Sequence, residues 1–211
     1  PEEEKLQESI KWADVIVVGP GMGMGEASHL LMERVLEKQR MIVIDADGLN
    51  LLASDDDLWQ KAKENSADEN MILTPHPGEM MRLLKKDMTK YQGCQETLAR
   101  ELSEMLSCTV AAKDAVTLVV ANRREEIYIN TSGNDGMATA GSGDVLAGII
   151  GGLLAQGMKS FEAASLGVYL HGLSGEVAAE RKGRFGMLAG DIAEAVATVT
   201  LGNDKNICRF L

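Results

Sequence analysis

Four short apolar runs constrain this chain most: Val15-Ile16-Val17-Val18, Met41-Ile42-Val43-Ile44, Met71-Ile72-Leu73 and Thr109-Val110-Ala111-Ala112. None alternates polar with apolar residues, so each must be covered on both faces. Each also stops abruptly, at Gly19-Pro20-Gly21, at Asp45, ahead of Pro75 and Pro77, and at Lys113. Between the runs lie helical periodicities. One extends from Glu26 to about Lys38, with Ala27, Leu31 and Val35 on a stripe. A second covers Asp55 to Asn65, capped by Ser54. A third covers Lys90 to Ser107, capped by Thr89, with Leu98, Leu102 and Met105 facing inward. Buried strands alternating with helices predict an α/β fold with a mainly parallel sheet. Thr117 to Ala121 and Ile127 to Asn130 flank a polar turn and predict a hairpin. Helices follow from Gly143 to about Ala155, from Ser160 with Leu166, Leu170, Leu173 and Val177 on one face, and from Asp191 to Thr200. No repeat, low-complexity segment or linker divides residues 1–211, which read as one domain.

Composition narrows the function. The 211 residues carry 32 acidic and 21 basic side chains, a net charge of −11. Lys and Arg never run longer than two, so no stretch would track a nucleic-acid backbone. No apolar stretch approaches a membrane span. Cys94, Cys108 and Cys208 lack metal-ligand spacing and read as reduced thiols, which places the protein in the cytoplasm.

The candidate chemistry gathers where the runs end, the side on which open α/β sheets bind ligands. Gly19-Pro20-Gly21-Met22-Gly23-Met24-Gly25 fails the dinucleotide fingerprint. Four glycines in seven residues exceed the need of a turn and favour close approach of a ligand. Asp45 ends the second run and is a candidate for metal or substrate, whereas Asp47 reads equally well as the N-cap of the next turn. In Thr74-Pro75-His76-Pro77-Gly78-Glu79 two prolines pin a histidine, which suggests positioning, and Glu79 opens a helix where the dipole favours a carboxylate. Gly141-Ser142-Gly143-Asp144 precedes a long apolar helix whose first amides form an anion site. No lysine follows, so it is not a P-loop. A carboxylate beside such a site repels an anion, and Asp144 is better explained as a base for an incoming hydroxyl. Lys113 offers a counter-charge for a nucleotide, or is a solvated surface lysine.

Taken in order, Gly-Pro-Gly-Met-Gly (19–23), Asp-Ala-Asp-Gly-Leu-Asn (45–50), Thr-Pro-His-Pro-Gly-Glu (74–79), Lys-Asp-Ala-Val-Thr (113–117) and Gly-Asn-Asp-Gly-Met-Ala-Thr-Ala-Gly-Ser-Gly-Asp (133–144) resemble the ADP/ATP-dependent NAD(P)H-hydrate dehydratase family, carbohydrate-kinase-like repair enzymes of the ribokinase-like superfamily. The resemblance covers essentially the whole chain. It implies a three-layer αβα fold and a repair lyase. Its substrate is hydrated NADH or NADPH, its phosphoryl donor ADP or ATP with Mg²⁺, and its assembly a homo-oligomer. By the same resemblance Asp144 is the catalytic base. Gly21, Gly23, His76, Asn134 and Asp144 contact the hydrated cofactor. Lys113, Asp114, Ala115, Val116, Thr117, Gly141, Ser142 and Gly143 contact the nucleotide, and Glu79 and Asp45 hold the metal.

Two departures stand out. Asp114 occupies a position where the family commonly has glycine, which brings a negative charge to the nucleotide. The family also carries a glycine-rich segment ahead of the position of Pro1, so the resemblance implies a missing leading part. A ribokinase-like vitamin-precursor kinase would use the same Gly-Ser-Gly-Asp step, though the His76 segment argues against it. A catalytically silent nucleotide-binding module is the reading that an intact Asp144 opposes.

Overall fold

In the computed structural model, which describes residues 2–38, 40–66, 70–90 and 92–201, the four runs pair side by side. They are β1 (Val15–Val18), β2 (Met41–Ile44), β3 (Met71–Leu73) and β4 (Thr109–Ala112). All three pairings among them are parallel, Ile42 lying between Ile16 and Met71. The chain then turns back, and β5 (Leu118–Ala121) and β6 (Tyr128–Ile129) extend the sheet antiparallel, giving the order β1-β2-β3-β4-β5-β6.

Helices α1 (Glu2–Trp12), α2 (Glu26–Leu36), α3 (Ala46–Ser54), α4 (Asp56–Asn65), α5 (Pro77–Leu83) and α6 (Gln95–Met105) precede β4, while α7 (Ser142–Ala155), α8 (Ser160–Lys182) and α9 (Ala189–Leu201) follow β6. Because successive strand residues point to opposite faces, each strand feeds two cores. Ile42, Ile44, Met71, Leu73, Val110 and Ala112 join Met32, Leu36, Leu49 and Leu102 on one side. Val43, Ile72, Ala111 and Val119 join Leu146, Ala147 and Ile150 of α7 and Ala163, Ala164 and Val168 of α8 on the other. Each such Val, Leu, Ile or Met side chain contributes about 1.5–3 kcal/mol by leaving water. The uninterrupted apolar runs are therefore what a sheet covered on both faces requires. Gly151 lets α7 lie close on β1, since a Cβ there would overlap the Val17 side chain.

Four boundaries differ from the sequence reading. Helix α1 was not expected; its apolar content is little more than Leu6 and Ile10, which pack on the core while Glu3, Glu4 and Glu8 are exposed. Helix α3 was read as a turn because Asp45-Ala46-Asp47-Gly48 carries turn residues. The cap of α4 is Asp55, whose Oδ1 accepts the Asp57 and Leu58 amides at 2.8 and 3.0 Å, and not Ser54. Helix α6 begins at Gln95, and Thr89 lies in a separate 3₁₀ turn, Met88–Lys90, with its amide on Asp87. Cys208 lies outside the described residues; Cys94 and Cys108 are unpaired thiols, the latter buried.

Parallel order delivers the ends of β1 to β4, and so Gly19, Asp45, Thr74 and Lys113, to one end of the sheet. The start of α7 is brought over the same end by its packing on β1 and β2.

Candidate active site

Asp45 is fixed before its side chain does anything. Its amide donates to the Val18 carbonyl at 3.1 Å, and its carbonyl accepts the Gly48 amide at 3.0 Å. A Cβ on Gly19, which has φ +117°, would overlap that carbonyl, so only glycine fits. Ala46, next in line, has φ +48°, a conformation that costs a non-glycine residue about 1–3 kcal/mol. Asp45 stands at the N-cap of α3, yet its carboxylate accepts no helix amide. It takes the Lys113 ammonium at 2.6 Å instead, with the Asp45 side chain 1% and the Lys113 side chain 21% exposed. The Lys113 amide is itself held by the Pro75 carbonyl at 2.8 Å. Burying a carboxylate this deep is costly unless it is paired.

Helix α7 opens beside this pair. Gly141 adopts φ +85°, the Ser142 amide donates to Thr139 O at 3.2 Å, and the Val145 amide to Gly141 O at 3.1 Å. Between them the amides of Gly143 and Asp144 find no acceptor among the described residues. A Cβ on Gly143 would stand 3.2 Å from Lys113 Nζ and 3.4 Å from Asp45 Oδ2, which places the ion pair against the helix end. Two free amides, the helix dipole and a lysine thus converge where an anion would sit. Asp144 is exposed on the first turn. Of the three amides expected to hold a phosphoryl group, that of Ser142 is used within the loop.

The His76 segment is satisfied internally. His76 Nδ1 accepts the Gly78 amide at 3.0 Å, so Nε2 carries the proton of the neutral ring. Glu79 Oε2 accepts the His76 amide at 2.8 Å, and Oε1 lies 3.1 Å from His76 Nε2. Both residues form a capping box on α5. Burial, with the Lys113 charge next, lowers the His76 pKa, and burial raises that of Glu79. Both directions favour a neutral imidazole, so the 3.1 Å approach is a close contact more than an ion pair. Asn134 is likewise engaged at both ends: it accepts the Gly136 amide at 3.0 Å and donates to Gly175 O at 2.9 Å. Gly21 and Gly23 keep open space where a side chain would go, but the Gly23 amide is held by Asp47 Oδ2 at 2.7 Å. Asp114, Ala115, Val116 and Thr117 form the β4–β5 turn, pinned by Gln95, whose Nε2 donates to the carbonyls of Ala112 and Val116. There Asp114 accepts the Ala115 amide at 2.8 Å.

Two residues, His171 and Glu176, enter the site that the sequence reading assigned no role, and a third, Asp47, was weighed there as a cap. His171 on α8 places Nε2 3.2 Å from Ser142 Oγ, and burial lowers its pKa to about 4. Glu176 accepts the Gly133 amide at 2.8 Å. Asp47 joins the glycine loop to α3. A histidine between buried positions of an otherwise apolar helix was the available signal for the first. The other two depend on contacts between distant segments. A cavity of about 790 Å³ lined by Met41, Ser107, Arg123 and Lys159 opens at the opposite end of the sheet and includes none of the candidates.

Asp45 and Glu79 do not fit a resident Mg²⁺. The first carboxylate is neutralised by Lys113 and the second has both oxygens on His76, and no cluster of three metal-binding side chains occurs among the described residues.

The family model for NAD(P)H-hydrate dehydratase matches residues 1–198. This chain belongs to the NAD(P)H-hydrate dehydratase family. Among relatives, an ADP-dependent (S)-NAD(P)H-hydrate dehydratase of Neisseria meningitidis is 44% identical over 182 residues, covering 85% of this chain and 60% of the relative. A bifunctional NAD(P)H-hydrate repair enzyme of Moorella thermoacetica is 41% identical over 206 residues, covering 97% of this chain and 38% of the relative. The chain thus spans less than two thirds of either. The ADP/ATP-dependent NAD(P)H-hydrate dehydratase of Bacillus subtilis, co-crystallised with ATP and Mg²⁺, superposes with a TM-score of 0.74 at 25% identity, over 97% of this chain and 70% of that one. The family's ribokinase-like three-layer arrangement, with its mainly parallel sheet, is the one observed here. Among the described residues no helix is long and apolar enough to cross a membrane.

Proposed function

We propose that this chain carries the nucleotide-dependent step that returns hydrated NADH or NADPH to the reduced cofactor. The observation that carries the reading is the start of α7, where the free Gly143 and Asp144 amides face Lys113 and the first turn bears a carboxylate. The ring hydroxyl of the hydrate attacks the terminal phosphorus of ADP or ATP and its proton passes to Asp144. The nucleotide leaves one phosphate shorter. The ring-nitrogen lone pair then expels phosphate, breaking the C–O bond, and the adjacent carbon loses a proton as the double bond re-forms. Lys113 and the two amides hold the transferring phosphoryl group and meet the charge that builds on it. The Neisseria relative's name supports ADP as the donor to test first.

Substrate contacts at Gly21 and Gly23 are supported by the open space above both, and a contact at His76 by its half-exposed ring. Nucleotide contacts along residues 113–117 are supported by the proximity of Lys113 to α7. In this reading Mg²⁺ enters with the nucleotide phosphates. A cytoplasmic setting is supported by the unpaired thiols of Cys94 and Cys108. Self-association is supported by exposed Trp12 and Val17 beside the outer edge of β1, and light scattering would measure it.

The deciding assay follows NADH absorbance after mixing protein, NADH hydrate and either nucleotide. Return of absorbance with release of phosphate is the expected result. No return with either donor, together with phosphorylation of a vitamin precursor, would transfer the assignment to a kinase.

A further inference from the structure

We infer that Asp45 is a positioning residue, which aims the Lys113 ammonium at the open end of α7. The first support is an Asp at an N-cap position that declines the cap: residues of this type normally accept an amide of the first turn, and Asp45 accepts none. The second is rigidity. The Asp45 backbone is held by Val18 and Gly48 and closed in by Gly19, so the carboxylate has a fixed origin. The third is placement. Lys113 Nζ lies 2.6 Å from Asp45 Oδ1, and both side chains border the space that a Cβ on Gly143 would take.

A lysine carries its charge on a flexible four-carbon stem and holds no direction of its own. Its ammonium has three donors, so one bond to Asp45 leaves two for an incoming anion. The arrangement trades attraction for direction, because the carboxylate cancels part of the lysine charge. Naming the anion as the donor's phosphate rests on the proposed function; the aiming of Lys113 does not.

The test compares wild type, Asp45→Asn, Asp45→Glu, Lys113→Met and the Asp45→Asn/Lys113→Met double variant. Each is titrated calorimetrically with ADP, ATP and pyrophosphate in EDTA, so that no divalent ion takes part. Asp45→Asn and Lys113→Met should each weaken binding by about ten- to a hundredfold. The double variant should bind no worse than Lys113→Met alone, and Asp45→Glu should recover part of the loss. Lysine ¹³C-methyl NMR supplies a readout without any ligand: the Lys113 resonance should move toward that of a free lysine in Asp45→Asn. Unchanged or tighter binding by Asp45→Asn would overturn the inference, as would losses that simply add in the double variant. So would intact binding in EDTA joined to a raised Mg²⁺ requirement, which would make Asp45 a metal ligand. Wild type that binds pyrophosphate but neither nucleotide would sink the donor assignment while the pyrophosphate series still decides the role of Asp45.

Discussion

Helices α5 and α7 both begin at the carboxyl end of the sheet, and they treat their first amides in opposite ways. At α5 a histidine ring and a glutamate answer the Gly78 and His76 amides in a reciprocal box. At α7 the Gly143 and Asp144 amides are left without a partner among the described residues, and a lysine stands by. A helix end that is capped has little reason to hold a ligand, whereas one left unsatisfied in a folded protein is available to an anion. The more rigid segment of the two is therefore the more structural one. Rigidity around His76 comes from prolines and the box together, and the proposed chemistry is assigned to the glycine-flanked turn.

Four measurements strain this contrast. Removing the carboxylate at the unsatisfied end, with Asp144→Asn, should lower turnover by about 10²–10⁴-fold while nucleotide still binds; an active variant would end the assignment of Asp144 as base. Gly19→Ala disturbs the ground between the two ends, because its Cβ would overlap Asp45 O at a positive φ. It should cost roughly 3 kcal/mol by urea denaturation. Gly21→Ala, facing open space, should cost only about 1 kcal/mol.

Acid should act beneath α7 through His171. Its folded pKa is about 4 against an ordinary 6.5, so between those values the unfolded chain binds a proton that the folded one refuses. Stability should therefore fall as pH drops through that window, by on the order of 3 kcal/mol, and stop changing from this source below it. Unfolding midpoints of wild type and His171→Asn across the range would show it, since the variant should lack that slope. The smallest effect belongs to the capped end. Glu79→Ala should cost about 1 kcal/mol by loss of the cap, and Glu79→Gln almost nothing. A shift of the Mg²⁺ requirement in Glu79→Gln would restore Glu79 as a metal ligand.

The strands were legible because a run such as Ile42-Val43-Ile44 has no polar face to present, and the same property fixes the helices on both sides. Helix α7 was legible from its apolar length and α8 from the spacing of Leu166 and Leu170, both of which are buried in the chain's own core. Helix α3 was not, because Asp45 through Gly48 carries turn residues whose local preference is overridden by Leu49, Leu51 and Leu52 packing inward. The same limit applies in the site. Asp45 and Lys113 were each read as candidates, but for different ligands, since nothing local tells that residues 68 positions apart share a proton's width of space. Glu79 was singled out for its position and Asn134 by the resemblance; a local capping box then took the Glu79 oxygens, and Asn134 is held between nearby Gly136 and distant Gly175.

One further consequence follows from the change of strand direction after β4. A parallel connection must cross the sheet and return through a helix, so altering its length rethreads the fold. The β4–β5 connection is instead a hairpin turn that starts and finishes beside Lys113. Residues can be added to or removed from the 113–117 turn while the surrounding strands keep their register. Length can thus vary beside the proposed nucleotide site while the core strands stay undisturbed.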